Sequence, residues 1–503
     1  MANLVGFDLV PGSQKSSAVF VEQKYVLGSL GSLLIPHKIA ILGQYNSGKT
    51  PGDNVAVLCL SEADAIAKYG RGSLMHLLYR KAAAGAGNVP IYCIPLADGT
   101  TKAVATALVN AAATVAGTIS MYIAGQRITV AVAASDSAIA IATAITAAIT
   151  AAADLPVTAA NGGTATVTMT ARNGGAWGNG MTLRMDINPG EAAAEPTIAG
   201  GITLSAFTTG ATDPDPTTAL AALGDTWYTF IVNPYDNIGV TTTALVAMEA
   251  AWTARIDPAV KRPFIGVYGN VETAANLITR AGARNSPGTA YINAEGSPNI
   301  PGEIAAAFAG AKAARAQAGP GRTGRGMQLP GIRSGAVPMW TGSVREAVVT
   351  AGGSTSRWGS DGTVYLIDGV TSYKTNSSAV LDESFRFIAT LENLQVKIYS
   401  MENLFSGTPF DDAIVVDDAA VTSVQYAIRP KTVKAFLIQL IDQLWVPYAL
   451  TKNRDNVVAG IITEIDSGNA GRINALVPDV FAAGLRVMAG KIQWSFYPPS
   501  VAA

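Results

Sequence analysis

Trp227-Tyr228-Thr229-Phe230-Ile231-Val232, Phe264-Ile265-Gly266-Val267-Tyr268 and Thr289-Ala290-Tyr291-Ile292 are three short runs of aromatic, β-branched and small residues. Each is followed by a longer stretch with apolar residues at helical spacing, over 241–255, 271–283 and 301–317. Strand then helix, repeated, predicts parallel strands joined by right-handed crossovers, because a parallel neighbour is out of reach of a tight turn.

Working outward, the same alternation stands near the start: Ile39-Ala40-Ile41-Leu42, a turn, a strand over 55–60, a helix over 62–69 running on through Leu74, Leu77 and Leu78, and a strand over 91–96. Together these predict an α/β core in two parts, 27–109 and 206–375. Between them, over 110–205, composition shifts to Ala, Thr and Gly. Ile119, Met121 and Ile123 alternate, as do Ile128, Val130 and Val132, on either side of Gly125, which predicts a hairpin. A helix over 137–153 carries Ile141, Ile145 and Ile149 on one face, and strands are expected over 164–171 and 181–187. This reads as a small inserted α+β domain. The third region, 376–503, has a helix marked by Phe387, Leu391, Leu394, Ile398, Met401 and Phe405, and a second from Pro430 to Pro447. The expected fold class is therefore α/β multidomain.

At 503 residues the chain is long enough for several cores. Only 14% of residues are charged, against about 25% in an ordinary soluble domain, and mean hydropathy is +0.28. Such a surface is expected to be covered by other subunits. The uncharged run from 103 to 126 is long enough to span a bilayer. Its Ala, Thr, Gly and Val content gives weak insertion, and Gly117 divides it into a helix-like and a strand-like half, so no membrane insertion is expected. No signal peptide is visible, which places maturation in the cytoplasm. A net charge of −1 gives no general case for nucleic acid.

Several motifs resemble chemical sites. Residues 43–50, Gly-Gln-Tyr-Asn-Ser-Gly-Lys-Thr, match the phosphate-binding P-loop after a strand. That motif needs a helix next, whose N-terminus meets the phosphates. Pro51-Gly52-Asp53-Asn54 and a strand follow instead, so a turn between strands is expected and no nucleotide cofactor. The only histidines, His37 and His76, and the only cysteines, Cys59 and Cys93, have no metal-ligand spacing; the thiols read as buried. His76 lies in an apolar helix, so a Ser/His/Asp hydrolase has no usable base. No catalytic or metal residue is assigned. Lys312, Arg315, Arg322, Arg325, Arg333 and Arg345 form a run without acids, a local positive field. Arg322 and Arg325 are expected to meet the acidic residues Asp411, Asp412, Asp417 and Asp418 on a neighbouring subunit. The termini, an extended arm over 1–26 and the last residues after 490, carry Val19-Phe20-Val21 and the alternating Ile492, Trp494 and Phe496. Both read as strands awaiting another subunit's sheet.

Taken in order, several segments resemble contractile phage tail sheath proteins of the Mu-like branch. Lys38-Ile39-Ala40-Ile41-Leu42-Gly43, Ser61-Glu62-Ala63-Asp64-Ala65 and Tyr69-Gly70-Arg71-Gly72-Ser73-Leu74 are similar to the first core stretch, with Tyr69 where Phe is usual. Ala124-Gly125-Gln126-Arg127-Ile128-Thr129-Val130 and 168–175 resemble the protruding domain. Asp361-Gly362-Thr363-Val364 through Tyr373 resembles the close of the core, with Asp368 in place of the usual Arg. The resemblance implies a non-catalytic subtilisin-like core and hexameric rings stacked as a helical sheath around a tail tube. It also implies baseplate and tail terminator partners, a place in the virion, and contraction that drives the tube through the host envelope. A P-loop nucleotide-binding protein and a cell-surface adhesin are the alternatives from other classes. The first needs a helix after Lys49 and the second a signal sequence.

Overall fold

The computed structural model describes residues 34–235, 243–335, 337–420, 424 and 426–491. Its described residues group into a larger unit, 35–398 with 481–491, and a smaller one, 399–480. The larger unit begins with β1 (Ile39–Gln44), buried along its whole length, and the short β2 (Val57–Cys59). The helix expected from residue 62 is two helices, α1 (Glu62–Tyr69) and α2 (Leu74–Ala86), each capped by a serine: Ser61 accepts from the Asp64 amide and Ser73 from the His76 amide. Then comes β3 (Ile91–Leu96).

From here the chain enters β4 (Val104–Val109), β5 (Ala113–Val115), β6 (Gly117–Ile123), β7 (Gln126–Val132), α3 (Ala138–Ala151), β8 (Val157–Ala160), β9 (Thr166–Ala171), β10 (Leu183–Met185), β11 (Thr197–Ile198) and β12 (Ile202–Leu204). The half of the uncharged run read as helix-like is strand. Ala105, Ala107 and Val109 alternate inward, and pairing with β9 and β12 overrides the helical preference of alanine. β4 thus shares a sheet, ordered β12-β4-β9-β8, with strands that lie after it in the insertion. β6 and β7 pair through a two-residue turn in which Ala124 and Gly125 both have positive φ, the geometry that matches the twist of a tight hairpin. Ile141, Ile145 and Ile149 of α3 are buried as their spacing predicts. No described helix is long and apolar enough to cross a membrane.

The alternation then resumes: α4 (Thr217–Ala221), β13 (Phe230–Val232), α5 (Thr243–Ile256), β14 (Ile265–Asn270), α6 (Ala274–Gly282), β15 (Ala290–Asn293) and α7 (Pro301–Ala318). One six-stranded sheet collects both parts in the order β15-β14-β13-β1-β3-β2, parallel except for β2. α7 is Ala-rich and buried on nearly every side. It approaches α2 so closely that a Cβ on Gly85 would lie 2.8 Å from the Ala311 amide nitrogen, and one on Gly310 would overlap the Ala82 carbonyl.

Beyond α7 lie β16 (Gln328–Arg333), α8 (Gly342–Ala351), β17 (Thr355–Trp358) and β18 (Thr363–Asp368), paired β16-β18-β17. α9 (Ile388–Phe405) departs from its expected stripe: Leu394 and Ile398 are only half-buried, while Glu392 and Gln395 are buried. In the smaller unit β19 (Ile414–Val415) pairs with β20 (Ala427–Ile428). α10 (Pro430–Leu440) opens on proline and packs Phe436, Leu437 and Leu440 inward. α11 (Arg454–Gly460) leads into the hairpin of β21 (Ile462–Asp466) and β22 (Asn469–Leu476).

Candidate functional site

In an open parallel sheet the place for chemistry is the carboxyl edge, where strand order reverses. Here that point is β1, flanked by β13 on one side and β3 on the other. Its loop is the P-loop-like 43–50. The Asn46 amide donates to Tyr69 O at 2.9 Å, Asn46 Nδ2 to Arg71 O at 2.9 Å, and Lys49 Nζ to Ala67 O at 2.9 Å. The next element is β2, a strand, so the loop presents no helix N-terminus to a phosphate, and its lysine is turned to a backbone carbonyl.

The same edge carries a row of buried amides that the sequence reading missed: Gln44, Asn233, Asn270 and Asn293, each at or just past the end of a strand. The signal was present, since an amide closes each of the apolar runs of β1, β13, β14 and β15. Their work is structural. Gln44 Nε2 donates to Asp98 Oδ1 at 2.9 Å and to Gly174 O. Asn233 Oδ1 accepts from the Tyr235 amide at 3.0 Å, and Asn293 Nδ2 donates to Asn270 Oδ1 at 2.8 Å. Asp98 also accepts from the Gly174 amide at 3.0 Å, and Asp213 from the Trp177 amide at 2.9 Å, which ties the insertion's loop to the edge. Burial pushes both carboxyls up, Asp213 to about 6. Amides neither take nor give up a proton near neutral pH, so this row fixes loops and offers no acid–base pair.

Both histidines are interior. His76 Nδ1 accepts from the Gly72 amide at 3.1 Å and Nε2 lies 3.0 Å from Glu62 Oε1; burial holds its pKa down. His37 is buried with Nδ1 3.0 Å from Thr229 Oγ1. Its pKa is lowered to about 4 by burial and by the charge of Lys312. Cys59 and Cys93 are free and buried. Among the described residues no three His, Cys, Asp or Glu side chains gather as a metal site would require.

The positive field needs one correction. Lys312 is not on the surface; it is fully buried, 2.6 Å from Glu392 Oε2 and 2.7 Å from Arg322 O. Its long stem reads as surface in sequence, but α7 is enclosed, and the charge is met by the one carboxylate of α9 that turns inward. Arg322 and Arg325 are exposed in the larger unit, and Asp411, Asp412, Asp417 and Asp418 are exposed in the smaller. Val19, Phe20, Val21, Ile492, Trp494 and Phe496 lie outside the described residues.

No family model matches the chain. Over 492 residues, 97% of this chain and 99% of the relative, it is 25% identical to the Mu-like prophage FluMu tail sheath protein of Haemophilus influenzae. The chain is thus similar, over nearly its whole length, to a contractile tail sheath protein of the Mu-like kind. Among solved structures, the sheath tail protein of Desulfitobacterium hafniense is 12% identical over 92% of this chain and all of that one, with a TM-score of 0.47. The helical sheath of the anti-feeding prophage in its contracted state is 12% identical over 96% of this chain and 99% of that one, with a TM-score of 0.44. Neither likeness is close enough to place a residue of this chain.

Proposed function

We propose that this chain is a contractile tail sheath subunit that polymerises as stacked hexameric rings around a tail tube, and that contraction of the polymer drives the tube through the host envelope. The observation that carries this reading is the near-full-length match to a sheath protein. In such a polymer, work comes from exchanging one set of subunit contacts for another, so neither a nucleotide nor a cofactor is consumed. The core of 27–109 and 206–375 is subtilisin-like and non-catalytic. The insertion, 110–205, faces outward, and 376–503 forms the C-terminal domain. The arm over 1–26 and the arm after 490 add Val19-Phe20-Val21 and Ile492, Trp494 and Phe496 to neighbouring sheets, where backbone pairing joins subunits without a large preformed interface. Arg322 and Arg325 face acidic groups of a neighbour. Baseplate and terminator proteins cap the polymer, which assembles in the host cytoplasm and ends in the virion.

Truncation tests the arms. Removal of residues 1–22, or of 491–503, should leave a folded subunit that does not polymerise, whereas deletion of 110–205 should leave polymers. Tubes of normal stability from both truncated proteins would show that the arms are passive.

A further inference from the structure

The larger unit contains a cavity of about 1070 Å³ walled by the strand end at Asp368, by α8, by residues 374–387 and by the stretch 483–487. Arg325, Arg345, Arg357, Lys374, Arg386 and Arg486 all line it. These six cations come from well-separated parts of the sequence and converge only in the fold. Four carboxylates share the lining, leaving it net positive by 6 − 4 = 2. Two of these are engaged elsewhere: Asp368 accepts from Thr355 Oγ1 at 2.9 Å, and Asp382 from Tyr373 Oη at 2.5 Å.

Among the described residues none of the six cations makes an ion pair. Arg386 is 9% exposed, and its guanidinium donates to the Val349 carbonyl. Burial lowers its pKa, the charge of Glu383 opposes that, the neighbouring Arg486 adds to the lowering, and Glu346 opposes it again. Arg486 is held over the Phe387 ring at 3.3 Å, and its carbonyl accepts from Arg325 at 3.0 Å. Glu383 and Glu346 offset part of this charge, and the cations left in excess favour a further anion. A single phosphate would neutralise one or two guanidiniums, whereas this cleft exceeds the usual small-ligand range of about 300–1,000 Å³ and suits a chain segment. Its rim is also apolar: Leu381, Leu485 and Val487 are 85%, 73% and 81% exposed.

The chain itself displays a complementary segment. Residues 411–418 read Asp-Asp-Ala-Ile-Val-Val-Asp-Asp, with carboxylates at both ends and an apolar centre. All four aspartates are exposed, and Ile414 is 54% exposed. None of the four makes an ion pair among the described residues.

We infer that the arginine cleft receives the 411–418 segment of a second copy of this chain. The inference rests on the polymer reading above and names one of its contacts. Cleft and segment are different surfaces, so the contact is head-to-tail, and each copy that is added presents a fresh cleft or segment. Arg325 takes part from the cleft wall, and the guanidiniums behind it complete the receptor.

The test uses three full-length variants beside wild type: Arg345→Glu/Arg357→Glu, Asp411→Lys/Asp412→Lys/Asp417→Lys, and the two sets combined in one chain. Polymerisation is followed by sedimentation and microscopy, and folding by circular dichroism. Each single set should fold but lose pelletable polymer at least tenfold. An equimolar mixture of the two sets should recover polymer of alternating copies, since the acidic segment of one meets the arginine cleft of the other and the lysine-bearing segment meets the glutamate-bearing cleft. The combined, charge-swapped chain should recover polymer. Wild type that polymerises beside a cleft variant that polymerises equally well overturns this inference and leaves the sheath reading standing. Loss in both sets without recovery in the swapped chain overturns the pairing of cleft with segment. Wild type that never polymerises removes the sheath reading itself.

Discussion

The carboxyl edge of the six-stranded sheet and the arginine cleft are built from similar polar material and put it to opposite uses. At the edge, Gln44, Asn233, Asn270 and Asn293 are turned to one another, to Asp98 and to nearby backbone, so most of their polar atoms are met from within the chain, Gln44 Oε1 being the exception among them. In the cleft, six cations converge with four carboxylates, and among the described residues none of the six makes an ion pair. The place where an α/β enzyme keeps its chemistry is closed here, and the unmet electrostatics lie where a partner can reach them. Interior changes should therefore be felt as stability, while assembly responds to the surface.

The largest interior effect is expected at the buried pair. Lys312→Met leaves Glu392 buried without its cation and should cost about 3 kcal/mol or more. Lys312→Met with Glu392→Leu should recover most of that, because a packed apolar pair avoids the desolvation of both charges. Chemical unfolding of the three proteins is the check, and additive losses in the double variant would contradict it. Next is the close approach of α2 and α7. Gly310→Ala places a methyl against the Ala82 carbonyl and should destabilise by about 1–3 kcal/mol, read as a lowered Tm; an unchanged Tm would mean that the helices part freely.

His37 gives a smaller, pH-dependent effect. Its folded pKa, about 4, lies below the ordinary 6.5, so the unfolded chain binds the proton first. The stabilisation it gives is complete above the unfolded value and is lost as pH falls through the folded one. From pH 7.5 to 5.5 wild type should lose about 1.4 kcal/mol more than His37→Leu. Equal losses would show that the ring is protonated in the fold. Smallest of all is Lys49→Ala, which removes one hydrogen bond at a half-exposed turn. It should change stability by less than about 1 kcal/mol and leave ATP and GTP turnover at background. Turnover abolished by the substitution would reopen the P-loop.

Much of the core was legible because buried parallel strands and crossover helices leave a pattern in one dimension, as at 227–317 and 39–96. The hairpin at Gly125 was equally plain, since few residues adopt its positive φ. What escaped depends on neighbours distant in sequence. Residues 104–109 are alanine-rich and become strand only because β9 and β12 lie alongside. Lys312 reads as surface until Glu392, far along the chain, is brought to it. The stripe on α9 failed for the same reason: Glu392 and Gln395 are buried because buried partners await them. The cleft arginines were singled out in part, Arg325 and Arg345 among them, but nothing local marks Arg357, Arg386 and Arg486 as their companions.

The most direct test of the central claim is microscopy of the purified full-length chain across a range of concentration and salt. Hollow tubes or rings with six-fold symmetry, large enough to surround an inner tube, are the expected result. A protein that stays monomeric throughout, folded and with both arms intact, would contradict it.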